Sequence, residues 1–219
     1  MCAFRGTRKE CEVNMKAVLI LWDIEKINKE DLENSIIIGV DRGALNAISH
    51  GITPDIAIGD FDSVNKIEFK RIQENSKTVV RLNPIKDKTD TEEAISLVKD
   101  YDEVLILGGI KGKRIEHFYA NLMLLIKYPN IKMKDENSLI EIKENDFIPN
   151  KEYKYVSLFS IPFESIISIS GMKYPLDHYT LRKDEPTLGC SNECLDNPFI
   201  KIHEGKLLVI HTVSDHEEL

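Results

Sequence analysis

Short apolar runs alternate with amphipathic stretches from residue 16 to about residue 128. Each run is continuous and most are rich in β-branched residues, which is typical of strands buried on both faces. This alternation predicts an open, mostly parallel sheet with helices between its strands, which is an α/β fold. The predicted strands are 17–21, 36–40, 56–58, 78–80 and 104–107, and the predicted helices are 43–50, 64–75, 89–99 and 114–128.

Two of these helices carry further signals. The helix over 89–99 begins with Thr89 and Glu92 at the spacing of a capping box. The helix over 114–128 has an apolar stripe at helical spacing and a polar stripe beside it. The apolar stripe is Ile115, Phe118, Tyr119, Leu122 and Ile126, and the polar stripe is Arg114, His117 and Asn121.

After residue 130 the pattern changes to short runs in which apolar and polar residues alternate, as at 131–134, 139–142, 153–158 and 166–169. Such runs predict strands with one buried face, and no later segment has a helical pattern. Residues 199–202 and 206–210 flank a Glu204-Gly205 turn and predict a hairpin. We therefore predict an α/β domain over 15–129 and an all-β sandwich domain over 130–219.

Composition limits the class of function. The chain has 219 residues, 42% hydrophobic and 30% charged, with a net charge of -8. This charge argues against nucleic acid as the main partner, whereas a small phosphorylated ligand can be held by a few local cations and a metal. No stretch is long and apolar enough to span a bilayer, so no membrane partner is expected.

The terminal residues and the cysteines point to the cytoplasm. Residues 1–14 contain no hydrophobic run like that of a secretory signal, and the patterned sequence begins at Met15. We expect either that Met15 is the natural start or that residues 1–14 are a loose extension. The spacing of the cysteines fits common zinc sites poorly, so free thiols in a reducing compartment are expected. The four cysteines are Cys2, Cys11, Cys190 and Cys194.

Carboxylates follow several of the predicted strands. Asp60 and Asp62 end the third strand, and Asp41 ends the second. Asp87 and Asp90 follow the fourth strand. Ligands bind in parallel sheets at the carboxyl ends of the strands, and a cluster of carboxylates there favours a hard cation such as Mg²⁺. The alternative for each single residue is a helix cap, for example Asp62 or Ser63, or a solvated pair with Lys86 and Lys88.

A glycine-rich turn follows the fifth strand. Gly108 and Gly109 allow close approach by a phosphate, and Arg114 at the next helix start is a natural anion contact. The turn matches neither the Walker A pattern nor the dinucleotide-binding pattern, so its spacing alone is a weak signal.

Five segments resemble the thiamine pyrophosphokinase family, in the family's order, across residues 16 to about 212. The resemblance implies an enzyme that transfers a diphosphoryl group from ATP to the hydroxyl of thiamine, giving thiamine diphosphate and AMP. It also implies a homodimer with its active site at the subunit interface. The segments are DRGALNAISHGITPDIAIGDFDSV, KDKTDTEEAI, GGIKGKRIEHFYANLMLL, GMKYPL and CSNE.

The resemblance also implies roles for single residues. Asp60, Asp62 and Asp90 would bind Mg²⁺, with Asp41 beside the metal and phosphates. The expected nucleotide contacts are Lys86, Asp87, Arg114 and His117, and the expected thiamine contacts are Tyr174, Ser191 and Asn192.

The sequence departs from the family pattern at two points, and two alternative functions remain. Glu116 stands where the family pattern has Asp and receives no catalytic role, and the one tryptophan, Trp22, lies early in the chain. The first rival is a pyrophosphokinase acting on another alcohol, such as a pterin. The second is a non-catalytic sensor of thiamine diphosphate or a nucleotide.

Overall fold

This computed structural model describes residues 15–112 and 114–214, so the expectations for residues 1–14, including Cys2 and Cys11, lie outside the described residues. Its helices are α1 (Lys29–Leu32), α2 (Gly43–Ser49), α3 (Lys66–Asn75), α4 (Asp90–Val98) and α5 (Ile115–Lys127), with a 3-10 helix at Pro186–Gly189. Its strands are β1 (Lys16–Ile20), β2 (Ser35–Val40), β3 (Ile56–Gly59), β4 (Thr78–Arg81), β5 (Glu103–Leu107), β6 (Ile131–Lys134), β7 (Ser138–Lys143), β8 (Tyr155–Ser160), β9 (Glu164–Met172), β10 (Leu176–Arg182), β11 (Asn192–Glu204) and β12 (Leu207–Thr212).

The first six strands lie parallel in the order β6-β5-β1-β2-β3-β4. The side chains of the central strands β1 and β5 are almost all buried because helices cover both faces of the sheet there; Val18, Leu19 and Ile106 are fully buried. The carboxyl ends of these strands share one edge, which is where a ligand site is expected. The four helices predicted for this half are present, and the short α1 is an additional one.

The strands of the second half continue the sheet of the first half. Strand β7 lies antiparallel to β6, and β12 and β8 extend the same sheet beyond it. Strands β9, β10 and β11 form a second layer, and the first two residues of β11 also pair with β8. A core between the layers includes Val156, Ile167 and Val209. The predicted two-part α/β and all-β organisation is therefore right in outline, but the strands belong to one large mixed sheet.

The predicted hairpin at the end of the chain is wrong. Strand β11 pairs with β9, whereas β12 pairs with β7 and β8. The turn at Glu204-Gly205 therefore carries the chain from one layer to the other. Strand β10 was not predicted, because only Leu181 is fully buried in it and a bulge between Leu176 and Tyr179 interrupts its alternation.

Two of the helical signals are only partly right. Thr89 caps α4 through its hydroxyl, which accepts from the Glu92 backbone N–H at 3.1 Å, but the Glu92 carboxylate accepts from Lys127 instead of closing the box. In α5, Ile115 and Tyr119 are exposed, while Leu124, Leu125 and Asn121 are buried. Because this helix has apolar residues on most sides, the predicted apolar stripe did not coincide with the face that is buried.

Two further expectations concern thiols and membranes. Cys190 and Cys194 are both free, as expected. Within the described ranges, no helix has the length and apolar character needed to cross a membrane.

Candidate active site

A cavity of about 770 Å³ lies at the carboxyl ends of the parallel strands. Segments that are far apart in sequence line it, because the strands end side by side. The lining includes Trp22 and Asp23 after β1, Asp41 and Arg42 after β2, Asp60, Asp62 and Ser63 after β3, Thr89, Asp90 and Thr91 at α4, Gly109, Lys111 and Gly112 after β5, and Arg114, His117 and Asn121 at α5.

One wall of the cavity is acidic and is bridged by a lysine. Lys86 Nζ lies 2.9 Å from Asp90 Oδ1 and 3.7 Å from Asp60 Oδ2. Burial lowers the pKa of Lys86, but the hydrogen bond and charge of Asp90, together with Asp60, outweigh this and raise it. The expected convergence of Asp60 and Asp90 is therefore present, with Lys86 between them.

Asp41 belongs to the same wall. Burial raises the pKa of its carboxyl, with smaller contributions from the charges of Asp90 and Asp60, while a hydrogen bond from Ser63 Oγ at 2.6 Å opposes the rise. Its backbone N–H donates to Ile58 O at 2.7 Å, which fixes it to the end of β3. A Cβ on Gly59 would lie 2.8 Å from the Asp41 Cα, so only glycine permits this approach.

The segment from Asp60 to Ser63 is a turn. Strand β3 ends at Gly59, and Phe61 has a φ of 58°, so Asp60 and Asp62 do not lie on one face of an extended strand. The Asp62 backbone N–H donates to Asp60 Oδ1 at 3.1 Å instead. The cap of α3 is Asn65, in a full capping box with Glu68, so neither Asp62 nor Ser63 is the cap.

The donor set suits a hard cation, although no group of three or more His, Cys, Asp or Glu side chains in residues 15–112 and 114–214 is arranged to hold a metal. The carboxylates supply oxygen ligands, which Mg²⁺ prefers. Asp41 Oδ1 and Asp23 Oδ2 are buried and have no hydrogen-bond partner. Asp62 is exposed on the rim, and Asp87 is exposed and does not line this cavity.

Two cations of the same cavity, Lys111 and Arg114, come from the turn after β5 and the start of α5. Arg114 is the N-cap of α5, with its Nε 3.5 Å from Glu116, and its Nη2 donates to His117 Nδ1 at 3.3 Å. The glycine-rich turn lies beneath it. Gly109 has a φ of 78°, and its N–H donates to Asp23 Oδ1 at 2.6 Å. Asn121 donates to Gly109 O at 3.4 Å, so this polar residue of α5 supports the turn.

Glu136 holds the lysine of this turn in place. Its Oε2 accepts from Lys111 Nζ at 2.8 Å, and its Oε1 accepts from the backbone N–H groups of Glu25 at 2.5 Å and Lys26 at 2.9 Å. Burial alone would raise the pKa of Glu136, but these hydrogen bonds lower it to about 2. One carboxylate therefore joins the loop after β1 to the glycine-rich turn, although Glu136 does not itself line the cavity.

Sequence reasoning missed Trp22 and Asp23, which line this cavity, and Glu136, which holds the cavity residue Lys111 without lining the cavity itself. Asp23 follows β1, so the rule that ligand residues follow parallel strands could have identified it. Trp22 precedes it, and its position after β1 carries the same signal. Glu136 lies between β6 and β7, and its link to Lys111 spans 25 residues, so no local pattern indicates it.

The residues expected to contact thiamine do not line this cavity. Tyr174 is 58% exposed. Asn192 is buried, and its side chain accepts from the Tyr174 and Glu193 N–H groups and donates to Tyr174 O at 2.8 Å. Ser191 has a φ of 53° and donates its N–H to Ser157 Oγ at 2.9 Å. Asn192 therefore fixes the Tyr174 loop to β11.

Comparison with known proteins gives a consistent result. The sequence-family model of the thiamin pyrophosphokinase catalytic domain matches residues 11–136. The sequence-family model of the thiamin pyrophosphokinase vitamin B1 binding domain matches residues 140–207. A thiamine pyrophosphokinase of Bacillus subtilis is 34% identical over 176 residues, which are 74% of this chain and 80% of that protein. Thiamin pyrophosphokinase 1 of Caenorhabditis elegans is 28% identical over 58% of each chain.

The fold agrees with these relatives. The crystal structure of thiamine pyrophosphokinase from Bacillus subtilis superimposes with a TM-score of 0.80, at 26% identity over 91% of this chain and 100% of that chain. The thiamin pyrophosphokinase from Geobacillus thermodenitrificans also gives a TM-score of 0.80, at 24% identity over 92% and 99% of the two chains.

Proposed function

Because the chain belongs to the thiamin pyrophosphokinase family, we propose that its cavity transfers a diphosphoryl group from ATP to the hydroxyl of thiamine, giving thiamine diphosphate and AMP. The observation that carries this proposal is the convergence of Asp41, Asp60 and Asp90, from three separate segments, in one cavity with the cations of the β5–α5 turn. Phosphoryl transfer depends on positioning and charge, and such a cavity supplies both.

We propose that Mg²⁺ binds at Asp60, Asp62 and Asp90. These side chains offer hard oxygen ligands, and Asp60 and Asp90 already meet around a cation, Lys86. When bound, Mg²⁺ would neutralise charge on the phosphates. The carboxylates would then have two alternative counter-charges, the metal and the Lys86 ammonium.

The side chains of the chain itself would do the remaining work. Arg114 would stabilise negative charge on the transferred group and on the departing AMP, and so would Lys86 once its side chain turns toward the phosphates. Lys111, fixed by Glu136, would add positive charge at the glycine-rich turn. Asp41 would remain beside the phosphates with its Oδ2 held by Ser63. His117 would orient Arg114, because its Nδ1 accepts a hydrogen bond from Arg114 Nη2. We assign Asp87, which is exposed, only an outer contact with the nucleotide.

The direct test is to incubate purified protein with ATP, Mg²⁺ and thiamine and to identify both products. Formation of AMP and thiamine diphosphate supports the proposal. AMP formed only with a hydroxymethyl pterin in place of thiamine would favour the first rival. Binding of thiamine diphosphate or ATP without any AMP release would favour the sensor.

We further propose a homodimer in which each active site takes its thiamine contacts from the partner. Tyr174, Ser191 and Asn192 lie outside the cavity of their own chain, so a second copy can supply them. In this division residues 15–129 bind nucleotide and metal, and residues 130–219 bind thiamine. ATP supply and the free thiols Cys190 and Cys194 support a cytoplasmic location.

Subunit complementation tests the shared site. Asp60→Asn and the double variant Tyr174→Ala/Ser191→Ala are each expected to be inactive alone. After mixing under conditions that exchange subunits, half of the dimers hold one intact site, so activity should return to about one quarter of the wild-type value. A site built within one chain would remain inactive after mixing. Light scattering gives the oligomeric state independently.

A further inference from the structure

Trp22 is a large aromatic residue on the wall of the cavity rather than in the core. Its side chain is 53% exposed, although burying an indole ring is strongly favourable. It lies two residues after the end of β1 and lines the same cavity as Asp41 and Asp60. It is also the one tryptophan of the chain. An exposed ring at this position is available to a planar ligand.

Arg42 fixes this ring from one side. The Arg42 guanidinium carbon lies 4.3 Å from the centroid of the Trp22 ring. The guanidinium is itself held, because its Nη2 lies 3.5 Å from Glu68 and its Nη1 donates to Ser63 O at 3.4 Å. Glu68 is part of the capping box of α3. The stack of Trp22 on Arg42 is therefore anchored to a regular element before any ligand arrives.

We propose that Trp22 is the stacking platform for the adenine ring of ATP. This inference rests on the proposed function, because it assigns a subsite for one of its substrates. The cavity volume of about 770 Å³ is in the range of sites that enclose a ligand of nucleotide size. The platform shares that cavity with Arg114 and Lys111, the cations available to the phosphates. A base on Trp22 and phosphates on those cations would belong to one molecule.

Charge distinguishes the two aromatic substrates. Thiamine carries a permanently positive thiazolium ring, and the Arg42 cation already lies over one of the two electron-rich faces of Trp22. A second cation stacked on this pair would be repelled. Adenine is neutral at pH 7, and a neutral base stacks on an aromatic ring without this penalty.

The sole tryptophan makes the first test direct. With excitation at 295 nm, where the nucleotide does not absorb, all tryptophan emission comes from Trp22. Addition of ATP with Mg²⁺ is expected to quench or shift this emission, while inorganic tripolyphosphate with Mg²⁺ and thiamine alone should change it little. A response to thiamine and not to ATP would overturn the assignment, and so would the absence of any response while calorimetry detects ATP binding.

Variants provide the second test, by calorimetry. Trp22→Ala is expected to raise the Kd of ATP about 10-fold, and Trp22→Phe, which keeps a ring, less than about threefold. The Kd of tripolyphosphate should not change in either variant. The matched control is Phe163→Ala, because Phe163 is also exposed and also lies under an arginine, Arg182, at 4.8 Å, but it is outside the cavity.

The outcomes separate this inference from the proposed function. ATP-dependent quenching without AMP formation would leave the subsite intact and refute the reaction. Normal formation of thiamine diphosphate, with unchanged ATP affinity in Trp22→Ala, would refute the subsite and leave the reaction intact. Trp22→Phe and the wild-type fluorescence decide the matter if Trp22→Ala does not fold.

Discussion

Replacing Glu136 with glutamine removes a charge that joins the loop after β1 to the glycine-rich turn. The amide oxygen of the new side chain can still accept from the Glu25 and Lys26 N–H groups, which now donate at 2.5 and 2.9 Å. Its NH₂ group would face the Lys111 ammonium, so a strong ion pair at 2.8 Å becomes a contact between two donors. We expect lower stability and a higher KM for ATP, because Lys111 is no longer held.

The size of the effect follows from the pKa of Glu136. A fall from the ordinary value of 4.5 to about 2 means that folding favours the ionised carboxylate. Each pKa unit corresponds to 1.36 kcal/mol, so the ionised form contributes up to about 3 kcal/mol at pH 7. Because the folded pKa is depressed, this stability is present above pH 4.5 and is lost as the pH falls toward 2. Near pH 3 about two fifths of it remains.

Urea unfolding of wild type and Glu136→Gln at pH 7 and pH 3 measures this difference. The matched control is Glu144→Gln, which also breaks a Glu–Lys pair, 2.6 Å from Lys206, but at an exposed position where such pairs contribute little. We expect Glu136→Gln to be less stable than Glu144→Gln at pH 7, with the gap narrowing at pH 3. Equal stability of the two variants at pH 7, or a gap that does not change with pH, would refute the reasoning.

Three further predictions concern the same cavity and its supports. Asp60→Asn should lower kcat by at least about 100-fold, because the carboxylate acts on phosphate charge, while the circular dichroism spectrum and Tm stay near wild type, because it is not part of the core. Near-normal turnover would remove the metal assignment. Gly59→Ala should cost about 1–3 kcal/mol in unfolding free energy and reduce activity, because the added Cβ meets the Asp41 backbone; an active variant of normal stability would show that Asp41 can move freely. Asn65→Ala should lower the free energy of unfolding by about 1 kcal/mol through loss of the capping box and leave kcat unchanged, as measured by thermal unfolding and product assays. A fall in kcat would mean that α3 itself positions the site.

The sequence predicted the parallel half of the fold better than the all-β half. Continuous β-branched runs report strands buried on both faces, and β1, β2 and β5 are such strands. In the second half, strand existence was mostly correct but pairing was not, because alternation indicates a buried face and not the neighbour that covers it. The hairpin at Gly205 failed for this reason.

The acidic residues were predictable for a related reason. Asp41 and Asp60 follow parallel strands, so strand order alone brings them together. Their local conformation was not predictable, because Phe61 adopts a positive φ that buries its ring against Phe69 at 5.1 Å. The roles of Trp22 and Glu136 depend on contacts with Arg42 and Lys111, which are distant in sequence.

The strand pairing between β6 and β7 has a mechanical consequence. Each strand from β4 across the sheet to β8 is hydrogen-bonded to its neighbour. One apolar core contains residues of α5, β7 and β12. Within the part of the chain that the structure describes, no flexible linker therefore separates the half that carries the carboxylates from the half that carries Tyr174. Because the strand ladder and this core join the two halves, we expect them to move and unfold together. Enclosure of bound molecules is then expected from loops at the edge of the sheet or from a neighbouring chain, and not from hinge bending between the halves.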